Sequence, residues 1–167
     1  MSDADQTFDV LRDHRFGPSR YLEDFELGEE FYIPSRTMTS ALFAAFQLAS
    51  GDNDPIHYDV EYCKARGHRS LLAHGMQVLI QTAAGAGVFP HQVADSLVAL
   101  IEITGRPLKP VYMGDTLYPR LRITEITPQT TTGVIVCSEV FNQDSVKVFD
   151  GTHRYLIRKR PSATRAV

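Results

Sequence analysis

Gly75-Met76-Gln77-Val78-Leu79-Ile80-Gln81-Thr82-Ala83-Ala84-Gly85-Ala86-Gly87-Val88, followed by Phe89-Pro90, is the run of small and apolar residues whose reading decides the fold. It reads as one long buried helix that starts at Gly75 and is stopped by Pro90. Glycine weakens an isolated helix by about 1 kcal/mol relative to alanine, so a helix with glycine at 85 and 87 is stable only where a sheet wraps tightly around it. The flanks supply that sheet. After Ser96 the pattern changes to period two, with strands expected at 97–107, 116–126, 131–141 and 145–158. In the second of these, Leu117, Leu121 and Ile123 share one face and Arg120, Arg122 and Thr124 the other, as in a sheet with one wet side. Asn142-Gln143-Asp144 is a hairpin turn signal.

Upstream, Phe25, Leu27 and Gly28 turn into a strand at 30–36, where Phe31 and Ile33 share a face. Thr39 is a helix N-cap, and Leu42, Phe43, Phe46 and Ala49 then recur at helical spacing as core candidates. The expected architecture is α+β, an antiparallel curled sheet around one long central helix. A loop and short helix between 50 and 74 overhang it. Residues 1–20 read as a loosely attached polar arm, 21–158 as a single domain and 159–167 as a basic tail.

The chemistry is concentrated in the overhang. In Ser50-Gly51-Asp52-Asn53-Asp54-Pro55-Ile56-His57, Gly51 permits a sharp turn and Pro55 pushes Asp54 out of the helical region. Asp52 and His57 therefore sit on an irregular loop that can aim both inward. A carboxylate and an imidazole converging on one volume can hold a water and exchange protons near neutral pH. The same residues also fit a polar turn with a capping Asp. Gly75 opens the long helix, whose first amides lack intrahelical partners and favour negative charge, so a carbonyl oxygen could approach there. Ser50, Asp54 and His74 lie beside this set, and His74 is expected to support the turn. Asp59 can cap a short helix ending at Gly67, which carries Lys64 and Arg66, with Arg69 just beyond, as cationic groups.

Composition removes other classes. The 167 residues are 43% hydrophobic and 22% charged, the profile of one globular domain. A net charge of −3 gives no argument for nucleic acid, and none is expected as a partner. The stretch at 71–89 is too short and polar to span a bilayer, and no signal core opens the chain, so a cytoplasmic location without membrane association is expected. Cys63 and Cys137 form no disulfide framework or zinc ribbon. His57, His68 and His74 match no zinc motif, so no metal is expected. Ser50 lacks a nucleophile elbow.

The pattern Ser50-Gly51-Asp52-x-x-Pro55-Ile56-His57, then Ala73-His74-Gly75-Met76, resembles the signature of the MaoC-like dehydratases and (R)-specific enoyl-CoA hydratases, which have a hot dog fold. The resemblance extends from about residue 21 to 158 and includes Arg106-Pro107-Leu108-Lys109-Pro110-Val111-Tyr112-Met113-Gly114-Asp115-Thr116-Leu117. It implies hydration of a trans-2-enoyl thioester to the (R)-3-hydroxyacyl thioester, or the reverse. Asp52 and His57 would be the acid–base pair and the Gly75 amide the oxyanion contact. It further implies a homodimer or higher homo-oligomer, an acyl-CoA substrate and no cofactor beyond the coenzyme A of that substrate. Arg106 and Lys109 are candidate contacts for its phosphates. Asp54 departs from the family, where Asn is frequent, and adds a second carboxylate. Two alternatives stand beside this reading: a hot dog acyl-CoA thioesterase, and a noncatalytic acyl-CoA-binding subunit.

Overall fold

In the strand β4 (Thr116–Arg122) the sequence alternation becomes geometry: Leu117 and Leu121 are fully buried, with Ile123 just beyond, while Arg122 is exposed. The structure, a computed structural model, describes residues 8–130, 132–136 and 138–161. Cys137, the ends of the expected arm and tail (1–7 and 162–167) and position 131 of an expected strand lie outside the described residues.

All pairings in the eight-stranded sheet are antiparallel. The order is β1 (Glu30–Tyr32), β4, β7 (Glu139–Asn142), β8 (Lys147–Arg158), β6 (Thr132–Val136) and β5 (Glu125–Pro128). The short β2 (Arg36–Thr37) also pairs with β4. Strand β8 is the spine: β7 and β6 share one of its edges, and β3 (Leu97–Pro107) runs along the other from Leu97↔Ile157 to Pro107↔Phe149. Register shifts in β3 and β7 bend the ladder, as bulges do. Three expected strands are each split in two. Pro34 interrupts the first between β1 and β2, and breaks after Arg122 and Val136 divide the others. Asn142 makes the expected hairpin turn, its Oδ1 accepting the amides of Asp144 and Val146 at 3.0 Å each.

The helices include one clear correction. α1 (Val10–Asp13) is a single turn, and α2 (Ser40–Ser50) starts where expected, Thr39 accepting from the Leu42 amide. Of its candidate core residues only Phe43 is fully buried, while Ala49 is exposed. α3 (Pro55–Tyr58) and α4 (Val60–Ala65) form the overhang, and Asp59 caps α4 through the Tyr62 amide. The run 75–88 is not one long helix. α5 (Gly75–Leu79) passes into a 3-10 turn at Ile80–Thr82, Ala83 adopts ψ 114°, and a second 3-10 turn follows at Ala84–Ala86. Thr82 Oγ1 donates back to the Leu79 carbonyl at 2.6 Å, which competes with continued helix. Small residues serve a different approach: a β-carbon at Gly87 would lie 2.9 Å from the Tyr32 carbonyl oxygen. Pro90 does not end a helix but lies in the first turn of α6 (Phe89–Gln92), where its missing N–H costs nothing.

Apolar residues collect in two clusters, one around Phe25, Phe31, Phe89, Leu121 and Ile157, the other around Phe43, Cys63, Val78, Leu117 and Phe149. The second anchors the overhang. Leu72 bridges to Tyr112, the Ala73 amide donates to the Val111 carbonyl at 2.7 Å, and Arg69 both pairs with buried Asp115 and lies 4.5 Å from the Tyr112 ring centre. The described part of the N-terminal segment is tied to the body through Arg15–Asp95 (2.5 Å) and Ser19, whose Oγ accepts from the Asp95 amide. No helix among the described residues is long and apolar enough to cross a membrane.

Candidate active site

The loop after α2 is held by a relay of short-range hydrogen bonds. Gly51 takes the left-handed conformation (φ 70°) that closes α2. Ser50 Oγ then accepts from the Asp52 amide (3.2 Å), Asp52 Oδ1 from the Asp54 amide (2.9 Å) and Asp54 Oδ1 from the Ile56 amide (3.1 Å). Each side chain thus fixes the backbone two residues on. Asp54, the departure from the family pattern, is the exposed N-cap of α3, with Pro55 in the first turn. Asn caps a helix as well as Asp does.

His57 sits on α3 with its Nδ1 2.7 Å from the Leu72 carbonyl. A carbonyl only accepts, so Nδ1 carries the proton and Nε2 of the neutral ring presents a lone pair. His74 has the opposite tautomer. Its Nδ1 accepts from the Met76 amide (3.1 Å), capping α5, and its Nε2 lies 2.7 Å from Asp52 Oδ2. The amide only donates, so the proton is on Nε2 and is given to the carboxylate. The two imidazoles are 4.9 Å apart between ring centres, and Phe46 packs against His74 at 5.2 Å.

From the sequence, Asp52 is expected to pair with His57, with His74 supporting the turn beside them. Here ligand atoms of all three lie within 4.8 Å of one another, and the direct bond to Asp52 comes from His74. A metal ion at this triad would have to displace the His74 proton and that bond. His68 is elsewhere, 3.2 Å from the Tyr112 hydroxyl. The Asp54 amide, then the nearby imidazoles, hold the Asp52 carboxyl below the usual carboxylate range despite some desolvation, so it is ionised at neutral pH. Burial, with the Asp52 charge adding, pushes the Tyr58 phenol up.

The Gly75 amide makes no hydrogen bond to any described residue, because the His74 cap is used on Met76. It shares a cleft of ≈ 380 Å³ with His57, Leu72, Val78, Pro107 and Lys109. A β-carbon at Gly75 would come within 3.2 Å of Pro107 Cγ. Farther along the broken helix lies a second, almost wholly apolar cavity of ≈ 420 Å³, between Leu79, Ile80, Ala83, Ala84 and Phe89 on one side and Leu97, Leu100 and Ile103 on the other. Its wall includes buried His153, whose Nε2 donates to Thr82 Oγ1 (2.9 Å) and whose Nδ1 faces the Tyr155 hydroxyl (3.0 Å). Burial lowers the His153 pKa and keeps the ring neutral.

The candidate cations are separated. Lys109 lines the cleft, whereas exposed Arg106 pairs with Asp150 at 3.2 Å. Lys64 pairs with Glu61, Arg66 stacks on Tyr62 and Arg69 is spent on Asp115.

The fold has counterparts among solved structures. A monoamine oxidase regulatory protein from Archaeoglobus is 29% identical and superposes with a TM-score of 0.79, over 88% of this chain and 99% of its own. The R-hydratase of Pseudomonas aeruginosa is 20% identical with a TM-score of 0.68, over 88% and 94%. A Mycobacterium tuberculosis protein with a double hot dog fold matches 89% of this chain with 47% of its own, at 22% identity and a TM-score of 0.71. The fold is therefore a hot dog. No curated protein matches the sequence. The model of the MaoC like domain matches residues 24–142, most of the sheet together with the whole overhang, and the chain belongs to the MaoC-like dehydratase family.

Proposed function

We propose that the protein is a hydratase or dehydratase acting at the C2–C3 bond of an enoyl thioester. The observation that carries this reading is an ionised Asp52 whose carboxylate lies within 4.8 Å of a ring nitrogen of His57, a His57 whose Nδ1 is bound to the Leu72 carbonyl so that Nε2 keeps its lone pair, and an unpaired Gly75 amide lining the same cleft as His57. In the hydration direction a water held between Asp52 and His57 loses a proton to the pair as its oxygen bonds to C3. The C2–C3 electron pair shifts toward the thioester oxygen, where the Gly75 amide stabilises the developing charge. The proton then returns to C2 as the carbonyl reforms. One water is added and nothing is oxidised or reduced. A donor aimed at charge that grows in the transition state is worth roughly 3 kcal/mol, and a positioned proton-transfer group about 100- to 10,000-fold.

The apolar cavity beyond Leu79 is suited to the acyl chain, and Lys109 at the cleft to a phosphate of coenzyme A or of an acyl carrier. The free edge of β3, with Leu97, Val98, Leu100, Ile101 and Ile103 exposed, supports pairing with a second copy. A thioesterase would need the same polarised carbonyl but no imidazole with a directed lone pair. The similarity to a regulatory protein keeps a noncatalytic reading as the second one. Incubation with a trans-2-enoyl-CoA separates the three: a hydratase gives the water adduct with no free thiol, a thioesterase releases thiol, and a noncatalytic subunit returns the substrate unchanged.

A further inference from the structure

We infer that His74 is a positioning residue, a two-ended clamp that ties the Asp52 carboxylate to the start of α5 and so fixes the proton-transfer group relative to the oxyanion amide. The inference rests on the hydratase reading for its kinetic consequence, but its geometry stands apart from it. Asp52 belongs to the loop after α2, and Gly75 to the first turn of α5; they are far apart in sequence. His74 joins them through two different ring nitrogens: Nδ1 accepts from the Met76 amide at 3.1 Å, and Nε2 donates to Asp52 Oδ2 at 2.7 Å. Neither bond can be made by the other nitrogen. The cap dictates the tautomer, and the tautomer supplies the donor.

Phe46 and His57 pack against the ring, at 5.2 and 4.9 Å between ring centres. The remaining oxygen of Asp52 is held by the Asp54 amide at 2.9 Å. Both carboxylate oxygens are thus engaged, one by each partner. The groups around Asp52 are His57 and Tyr58 on α3, the adjoining Asp54 and His74 itself. Of these only His74 belongs to the element that carries Gly75.

Two substitutions pull the ends of the clamp apart. His74→Asn keeps a strong capping residue but is too short for Asp52, whereas His74→Gln retains a long side-chain donor and is a weak cap. The first is expected to melt close to the wild type while kcat falls about 10- to 100-fold, the usual cost of losing an orienting partner, with KM little changed. The second is expected to be the less stable and the more active. Loss of a donor to the ionised carboxylate raises the Asp52 pKa, so the acid limb of kcat/KM moves to higher pH in His74→Asn. Carboxyl-carbon NMR titration of Asp52 in wild type and His74→Asn reads the same shift without any turnover. An unmoved Asp52 titration, or activities that follow melting temperature across both variants, overturns the clamp. An inactive wild type whose Asp52 still shifts in His74→Asn leaves the clamp standing and removes only the hydratase reading.

Discussion

Asp54 stands where the resemblance to the family leads one to expect Asn, and the geometry gives it a reason to be interchangeable. Its carboxylate accepts from the Ile56 amide at the head of α3, and its backbone amide holds Asp52. The backbone contact is independent of the side chain. Asp54→Asn is therefore expected to leave both melting temperature and turnover near wild type, whereas Asp54→Ala loses about 1 kcal/mol of stability measured by denaturant unfolding. A large loss of turnover in the Asn variant at unchanged stability would mean that the second carboxylate takes part in the chemistry. At this scale the sequence is informative about Asp52 and His57, because Gly51 and Pro55 punctuate the loop between them. It is silent about His74 and Asp52, since a bond between a loop and a distant helix start exists only once the overhang has docked on Tyr112 and Val111.

Among the elements, the segment after Gly75 departs furthest from its sequence pattern. Small residues at 83–87 fit both a tightly wrapped helix and a chain that leaves helical geometry to approach a strand. Burial of Thr82 against His153 and the contact of Gly87 with Tyr32 select the second. Those partners lie on β8 and β1, beyond the reach of local periodicity. The strands were more legible: β3 runs from Leu97 to Pro107, the range expected from the sequence, paired with β8 from Ile157 to Phe149 despite two register shifts. The broken helix also creates the apolar cavity. A β-carbon at Gly85 meets nothing within 4 Å, so Gly85→Leu can fill part of its ≈ 420 Å³ without a backbone clash. Steady-state kinetics should then show kcat/KM falling at least about 10-fold for a medium-chain enoyl-CoA, within the few kcal/mol that lost methylene contacts carry, and little change for crotonyl-CoA. Equal losses on both substrates would place the acyl chain elsewhere.

At the level of the whole molecule, the curled sheet leaves β3 as its exposed margin. Its outer edge pairs with no other strand among the described residues, while β8 covers the inner one. Long, apolar, unprotected edges are uncommon in stable monomers. Sedimentation at micromolar concentration should find a dimer, and Ile101→Lys, at a position 52% exposed in the single chain, should shift it toward monomer. A wild-type monomer across that range would refute the pairing. The α+β class and the overhang could be read from the order of patterns, one apolar run followed by alternating strands. The sheet order could not, because β8, last in sequence, pairs with three earlier strands. On the reading proposed above, this fold brings Asp52, His57 and the Gly75 amide together to hydrate an enoyl thioester. The most direct test of that reading is the decay of the enoyl-thioester absorbance with crotonyl-CoA and longer homologues, in wild type and Asp52→Asn. A hydratase of this design gives decay in the wild type for at least one chain length and a rate about 100- to 10,000-fold lower in the variant; no decay at any length, or equal decay in both proteins, would rule it out.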